Sequence, residues 1–170
     1  MDLATMIRDV PDFPVKGILF KDITTLIRDG EAFRQAVEAL LSFCRNKEID
    51  LVASIESRGF IFGAPLAYEL GAGFIPVRKP NKLPAEKISA EYSLEYGTNV
   101  LEMHKDAIRP GQRVLIVDDL LATGGSAKAV IDLVERLGGE VVGLVFLIEL
   151  EFLRGIDKLR GYDVFTVIKF

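Results

Sequence analysis

The stretch VLIVDDLLATGGSA, residues 114–127, decides how this chain folds. Four apolar residues are followed by two adjacent carboxylates, Asp118 and Asp119, and then by a run of small residues. The small residues are Ala122, Thr123, Gly124, Gly125 and Ser126. From residue 127 apolar side chains recur on one helical face, until Gly138 and Gly139 end the pattern. This order predicts a buried parallel strand, a polar loop and a crossover helix.

The composition of that loop favours a phosphate site. Ligands of open parallel sheets bind beyond the carboxyl ends of the strands, where a helix N-terminus offers free N–H groups and a positive dipole end. The glycines let the backbone close on an anion, and Thr123 and Ser126 add hydroxyl donors. The P-loop and dinucleotide-binding glycine patterns are both absent from the sequence. Because the acids precede the loop, we expect a ribose 5-phosphate; the alternative is that Asp118 and Asp119 cap the helix or stay solvated.

The rest of the chain alternates strands and helices. Short apolar runs predict further buried strands at residues 51–55, 74–77, 141–148 and 164–168. Helical spacing predicts helices over residues 31–44, where Cys44 lies on the core face, and over residues 59–70, which Gly71 ends. The predicted fold class is therefore α/β, an open parallel sheet flanked by helices.

Two segments depart from that alternation. Residues 88–96 alternate apolar and polar side chains, which predicts a half-exposed strand that turns at Gly97 and returns over residues 98–104. This hairpin is an insertion on the sheet. At the N-terminus, residues 1–10 are predicted to form a short helix ended by Pro11, and residues 11–22 an ordered loop.

Composition narrows the function classes. The chain has 170 residues, which fits a single domain over residues 1–170, and its net charge is −4 with a pI near 5.1. That charge argues against a nucleic-acid-binding face. One Cys and one His exclude a disulfide framework and a clustered metal site. The longest apolar run, residues 141–148, is too short to span a membrane, and no secretion signal is visible, so we expect a cytoplasmic protein.

The segment around residues 118–126 resembles the phosphoribosyl-pyrophosphate loop of the type I phosphoribosyltransferases. Over the whole chain the sequence is similar to the adenine-specific group of that family. The supporting stretches are PDFPVKGILFKDIT (11–24), ESRGFIFG (56–63), RKPNKLP (78–84), EYSLEYG (91–97), LEMHKDAI (101–108) and IELEFLRG (148–155). The resemblance implies the type I phosphoribosyltransferase fold and displacement of pyrophosphate from ribose C1 by adenine N9, which gives AMP.

The resemblance also implies roles for individual residues. Asp118 and Asp119 would face the ribose hydroxyls and favour a cationic transition state, and residues 122–126 would hold the 5-phosphate. The pyrophosphate would be bound by Ser57, Arg58, Arg78, Lys79 and Lys82. It would bring Mg²⁺, held by substrate and water oxygens and by no protein side chain.

Adenine would lie against the N-terminal segment, which the resemblance makes the base-binding segment. Phe20 would stack on the base, and backbone groups of Leu19 and Lys21 would read its edge. Glu102 would act as the acid–base carboxylate of the reaction. Residues 80–104 would form a flexible hood that closes over the substrates, with Tyr92 and Tyr96 packed inside it.

Other activities on the same fold stay open at this point. The family's 6-oxopurine enzymes carry an acid at the position of Ala122, which argues against them. Orotate as the accepting base, or a nucleotide-sensing regulator without turnover, is a further alternative. The resemblance implies a homodimer, no nucleic-acid partner and no membrane partner.

Overall fold

A computed structural model describes residues 1–94 and 97–170 of the chain. Its strands are β1 (Arg8–Pro11), β2 (Leu19–Asp22), β3 (Leu51–Ile55), β4 (Gly73–Val77), β5 (Lys87–Leu94), β6 (Gly97–His104), β7 (Arg113–Leu121), β8 (Glu140–Glu149) and β9 (Val164–Lys169). Its α-helices are α1 (Thr24–Ile27), α2 (Gly30–Cys44), α3 (Arg58–Leu70) and α4 (Gly125–Arg136). Short 3₁₀ helices occupy Leu3–Met6, Glu151–Leu153 and Gly155–Leu159.

Five strands form one parallel sheet in the order β4-β3-β7-β8-β9, which confirms the predicted open parallel sheet. All their carboxyl ends therefore meet at one edge, where the loops after β3, β4 and β7 lie side by side. Neighbouring residues of β7 point to opposite faces of the sheet, so Leu115 packs with one core cluster and Ile116 with the other.

Helices cover both faces of the sheet, as the apolar spacing predicts. On one face α2 and α3 bury a cluster that includes Leu40, Phe62 and Leu66. On the other face α4 buries Val130 and Val134. Each such side chain contributes about 1.5–3 kcal/mol when it is fully removed from water. Cys44 is buried in the first cluster, where desolvation raises the pKa of its thiol to about 11, so it is an inert core residue.

Local sequence signals explain where these helices begin and end. Asp29 caps α2 by accepting a hydrogen bond from Ala32 N–H at 2.9 Å. Gly71 ends α3 with a left-handed φ of 64°, as predicted. None of the helices that the structure describes is long and apolar enough to cross a membrane.

The predicted insertion is confirmed as the antiparallel pair β5 and β6. It joins the sheet edge through a bridge between Arg78 and Glu102, and β5 packs against α4. Ala90 and Leu101 are buried, whereas Glu91 and Ser93 face solvent, as the alternation predicts. Glu95 and Tyr96, which the sequence places at the end of the first strand, lie outside the described residues.

The secondary structure predicted for residues 1–22 is wrong. Residues 1–10 form only a short 3₁₀ turn followed by β1, and the predicted loop contains β2, which pairs antiparallel with β1. The pairing is reinforced by ion pairs of Arg8 with Asp22 and of Lys21 with Asp9. These contacts join residues far apart in sequence, so the periodicity within residues 1–10 could not reveal them.

The third buried strand is longer than predicted. β7 runs through Asp118 and Asp119 to Leu121, so the two acids lie within the strand and not in the loop. Asp118 still pairs with Phe146 of β8. The pairing of β7 with β8 thereby fixes the backbone that carries both acids.

Candidate active site

A cleft of about 230 Å³ lies at the carboxyl end of β7. Its lining includes Arg58, Tyr92, Asp118, Asp119, Thr123 and Ser126. Residues from α3, the hairpin, β7 and the following loop therefore converge on one space. A larger groove of about 580 Å³ lies between β5 and α4, but neither Asp118 nor Asp119 lines it.

Both acids of the cleft are almost completely buried, with 8% of Asp118 and 6% of Asp119 exposed. Asp118 Oδ1 accepts a hydrogen bond from Asp119 N–H at 2.8 Å, and Asp119 Oδ2 accepts from Arg58 Nε at 2.7 Å. Burial, and next the adjacent Asp119 carboxylate, raise the pKa of Asp118 well above its usual value. The arrangement concentrates negative charge where a sugar cation or its hydroxyl groups would be stabilised.

The backbone of α3 approaches these acids closely. A Cβ at Gly59 would lie 2.9 Å from Asp118 Oδ1 and 3.2 Å from Val117 O. A side chain at position 59 would therefore force α3 and β7 to shift. The glycine lets the start of α3 lie close to β7, where Arg58 contacts Asp119.

The predicted phosphate loop opens α4. Gly124, with φ 84°, precedes the helix, whose first residues are Gly125 and Ser126. Free N–H groups of this first turn face the same end of the sheet as the acids. The structure therefore brings residues 118–126 together as predicted, which fits a ligand with hydroxyl groups and a phosphate.

The loop rests on the 3₁₀ segment that follows β8. A Cβ at Gly124 would lie 2.5 Å from Gly155 O, and a Cβ at Gly155 would collide with Ala122 O. Leu150 N–H also donates to Leu121 O at 3.0 Å. Gly155 belongs to the stretch IELEFLRG, but no local sequence signal marks it as a support of the phosphate loop.

Three of the predicted pyrophosphate residues contact one carboxylate, Glu56, which is not among the predicted site residues. Glu56 Oε1 accepts from Arg78 Nε at 3.1 Å and from Lys79 N–H at 2.8 Å. Lys82 Nζ lies 3.8 Å from Glu56 Oε2. Ser57, exposed, follows Glu56 directly and precedes Arg58. The structure thus brings Arg78, Lys79 and Lys82 together, whereas Arg58 is paired with Asp119.

The N-terminal hairpin reaches the same site. The guanidinium of Arg58 lies 5.7 Å from the ring centre of half-buried Phe20. Phe13 packs edge-on against Phe20 at 5.1 Å, and Leu19 is 50% exposed. Lys21 is directed elsewhere, since its ammonium pairs with Asp9 and lies 3.9 Å from the ring centre of Phe170. The structure therefore places the Phe20 ring, but not the Lys21 side chain, beside the cleft.

Glu102, the predicted acid–base residue, lies on β6 of the inserted hairpin. Its half-buried carboxylate accepts a hydrogen bond from Asn81 N–H at 3.0 Å, and it is not part of the cleft lining. Its backbone exchanges two hydrogen bonds with Arg78. These contacts tie Glu102 to the basic segment after β4, and its acid–base role stays a prediction.

Comparisons with known proteins agree with this geometry. The sequence model of the phosphoribosyl transferase domain matches residues 24–168. A relative from Halothermothrix orenii, named adenine phosphoribosyltransferase, is 59% identical over 169 residues, 99% of each chain. The crystal structure of adenine phosphoribosyltransferase from Thermoanaerobacter pseudethanolicus has a TM-score of 0.97 at 58% identity and covers 99% of this chain and 98% of its own.

A third similar protein was crystallised with ligands. The Saccharomyces cerevisiae adenine phosphoribosyltransferase, complexed with an imino-altritol bisphosphate and adenine, has a TM-score of 0.91 at 43% identity. The alignment covers 98% of this chain and 96% of the yeast chain. The converging cleft, the sheet order and these matches over almost the full length agree, and the chain therefore belongs to the phosphoribosyltransferase family, within its adenine phosphoribosyltransferase group.

Proposed function

We propose that this chain transfers the 5-phosphoribosyl group of phosphoribosyl pyrophosphate to adenine, forming AMP and pyrophosphate in purine salvage. The observation that carries the proposal is the cleft in which two buried carboxylates adjoin a glycine-opened helix N-terminus. Arg58, which lines this cleft, lies 5.7 Å from the ring centre of Phe20. Names of relatives at 59% identity, and the adenine in the yeast structure, support the choice of base.

We assign the ribose and 5-phosphate to the carboxyl end of β7. Residues 122–126 would bind the 5-phosphate through the N–H groups of the loop and of the first turn of α4, together with the hydroxyls of Thr123 and Ser126. Asp118 and Asp119 would accept hydrogen bonds from the ribose hydroxyls. As the bond between C1 and pyrophosphate breaks, positive charge develops on the sugar, and two fixed carboxylates stabilise it without any reorganisation.

We assign the pyrophosphate to Ser57 and to the basic residues near the acids, namely Arg58, Arg78, Lys79 and Lys82. The ion pair with Asp119 uses Arg58 Nε, and the terminal nitrogens of this guanidinium would donate hydrogen bonds to pyrophosphate oxygens. In the part of the chain that the structure describes, no three His, Cys, Asp or Glu side chains form a metal cluster. Mg²⁺ would neutralise the leaving group while bound by pyrophosphate and water oxygens, with Asp118 and Asp119 as the nearby carboxylates.

We place adenine against the N-terminal hairpin, with Phe20 stacked on the ring and backbone groups of Leu19 and Lys21 at its edge. Phe20 is only partly buried, so its ring would be accessible to a stacking base, and the edge-on contact with Phe13 at 5.1 Å would support the ring. A site that matches the donor–acceptor pattern of adenine leaves unpaired polar groups against a 6-oxopurine, which supplies the specificity.

The remaining expectations concern the whole protein. Closure of the hood, residues 80–104, would exclude water from the activated sugar. Tyr92 already lies near the start of α4, since a Cβ added at Gly125 would be 3.3 Å from its ring. A homodimer and a cytoplasmic location stay predictions. Light scattering coupled to size exclusion, and cell fractionation, test them.

The test of the proposed reaction is an assay with radiolabelled bases. Purified protein, Mg²⁺ and phosphoribosyl pyrophosphate are combined separately with adenine, hypoxanthine, guanine, xanthine and orotate. We expect AMP from adenine and at least a hundredfold lower rates with the other bases, since unpaired buried polar groups discriminate strongly. Product from another base alone would reject adenine, and no product from any base would favour a nucleotide-sensing regulator.

A further inference from the structure

We infer that Glu56 is a positioning residue that arranges the cations of the pyrophosphate subsite. This inference rests on the proposed function and deepens it. The reacting atoms need not touch Glu56. Its carboxylate would act through three groups that it contacts, namely the Arg78 guanidinium, the Lys79 backbone N–H and the Lys82 ammonium.

Glu56 stands at the meeting point of two loops. It directly follows β3, whereas Arg78, Lys79 and Lys82 follow β4, the parallel neighbour of β3. Glu56 N–H donates to Val77 O at 3.0 Å, which continues the ladder of these strands by one step. The side chain therefore starts from a fixed backbone position.

The contacts of the carboxylate reach both backbone and side chain. Oε1 accepts from Lys79 N–H at 2.8 Å and from Arg78 Nε at 3.1 Å, and Oε2 attracts Lys82 Nζ at 3.8 Å. Hydrogen bonds to an ionised acceptor are stronger than neutral ones and fix the direction of the donor. One buried carboxylate thereby holds the backbone after β4, orients the Arg78 guanidinium and attracts the Lys82 ammonium.

The side chains of Arg78 and Lys82 are more exposed than the Glu56 side chain that they contact. The Glu56 side chain is 8% exposed, whereas the side chains of Arg78 and Lys82 are 33% and 46% exposed. The cations thus lie outside the carboxylate and would meet an incoming polyanion first. Holding long cationic side chains in place before binding also reduces the entropy that binding must overcome.

A competing role for Glu56 would lead to the opposite result. A carboxylate among cations competes with a polyanionic ligand, so its removal would strengthen binding if competition dominated. The hydrogen bond to the Lys79 backbone argues for positioning, because this contact shapes the loop rather than neutralising a side chain. The two roles are separated by the sign of one measurement.

The experiment compares ligands with and without pyrophosphate in the Glu56→Gln variant. The amide keeps one oxygen for the N–H donors but turns an NH₂ group toward Lys82 and loses the charge. Calorimetry gives the affinities for Mg²⁺-pyrophosphate and for AMP, and initial rates give the KM for phosphoribosyl pyrophosphate. We expect pyrophosphate affinity to fall and that KM to rise about tenfold, whereas AMP affinity changes less than about twofold.

Glu140→Gln is the matched control. Glu140 pairs with Arg113 at 3.2 Å at the amino ends of the strands, away from the cleft, so its loss should change none of the three values. Tighter pyrophosphate binding in Glu56→Gln, no change, or an equal loss of pyrophosphate and AMP affinity would each overturn the inference. If the unaltered protein makes no AMP, the proposed function fails, while the calorimetric comparison still tests Glu56.

Discussion

At the scale of single residues, the site places two carboxylates next to each other inside the protein. Desolvation and mutual repulsion both work against charging Asp118, and Arg58 compensates Asp119 directly. In the substrate-free protein this arrangement costs stability. We interpret the cost as preorganisation, since the charges are fixed before the sugar cation forms.

Asp118→Asn should therefore stabilise the protein while it removes activity. The amide carries no buried charge, so we expect a gain on the order of 1 kcal/mol near neutral pH and a fall in kcat/KM of about a hundredfold or more. A raised folded-state pKa means that wild-type stability from this group is present in acid and is lost as pH rises through that pKa. We expect the melting temperature of Asp118→Asn to exceed that of the wild-type protein by a margin that grows from about pH 4 to about pH 8.

Asp119→Asn serves as the comparison for that variant. It lowers activity for the same reason but removes the partner of Arg58, so it should bring no gain in melting temperature. Circular dichroism should stay unchanged in both variants. A melting temperature of Asp118→Asn at or below the wild-type value near pH 8 would contradict the electrostatic interpretation.

The Glu102→Gln variant separates two roles of that residue. Glutamine retains an oxygen for Asn81 N–H, so a carboxylate that only holds the loop should be replaceable with kcat within about twofold. Proton transfer by Glu102, as the family resemblance implies, would instead cost about a hundredfold in kcat with little change in phosphoribosyl-pyrophosphate binding. Steady-state kinetics with both substrates varied decide between them; we expect the kcat loss, and its absence would reject the acid–base role.

At the scale of elements, the phosphate loop depends on a segment far along the chain. Its conformation after β7 is backed by Gly155, whose backbone occupies the space behind Ala122 and Gly124. The glycine-rich sequence permits the loop to close on a phosphate but does not by itself choose one conformation.

Gly155→Ala should therefore weaken phosphate binding specifically. The added Cβ would lie 3.0 Å from Gly124 N and collide with Ala122 O, so loop or support must shift. We expect AMP affinity to fall about tenfold, and Mg²⁺-pyrophosphate affinity to change little. Calorimetry with both ligands measures this. Gly30→Ala is the control, because a Cβ added there meets no tertiary neighbour within 4 Å. Equal weakening of both ligands would show a general disturbance instead.

The helices and strands also show how much of the fold can be predicted from the sequence. The five sheet strands, α2, α3 and α4 follow from apolar periodicity and capping residues, because each signal lies within its own element. β1 and β2 were missed because strand pairing and the Arg8–Asp22 ion pair join distant residues. The acids and the loop were found as one short motif. Glu56 and Gly155 were not, since their partners come from other loops; the only local signal for Glu56 is its place directly after a buried strand.

At the scale of the whole molecule, an acidic protein must bind a strongly acidic substrate. The net charge is −4, and cations are concentrated at one edge of the sheet by Glu56 and Asp119. Local geometry thus outweighs overall charge, provided that a counterion accompanies the pyrophosphate.

This balance predicts that Mg²⁺ supports turnover but not folding. Excess chelator should abolish AMP formation, and added Mg²⁺ should restore it, because the ion would enter with the substrate. The melting temperature without substrate should stay within about one degree, since the described residues offer no three-ligand cluster of His, Cys, Asp or Glu. Calorimetric scans with and without chelator, run beside the rate assay, provide the measurement. A chelator-dependent drop in melting temperature would reveal a metal bound by the protein itself and would reassign Mg²⁺ from the substrate to the chain.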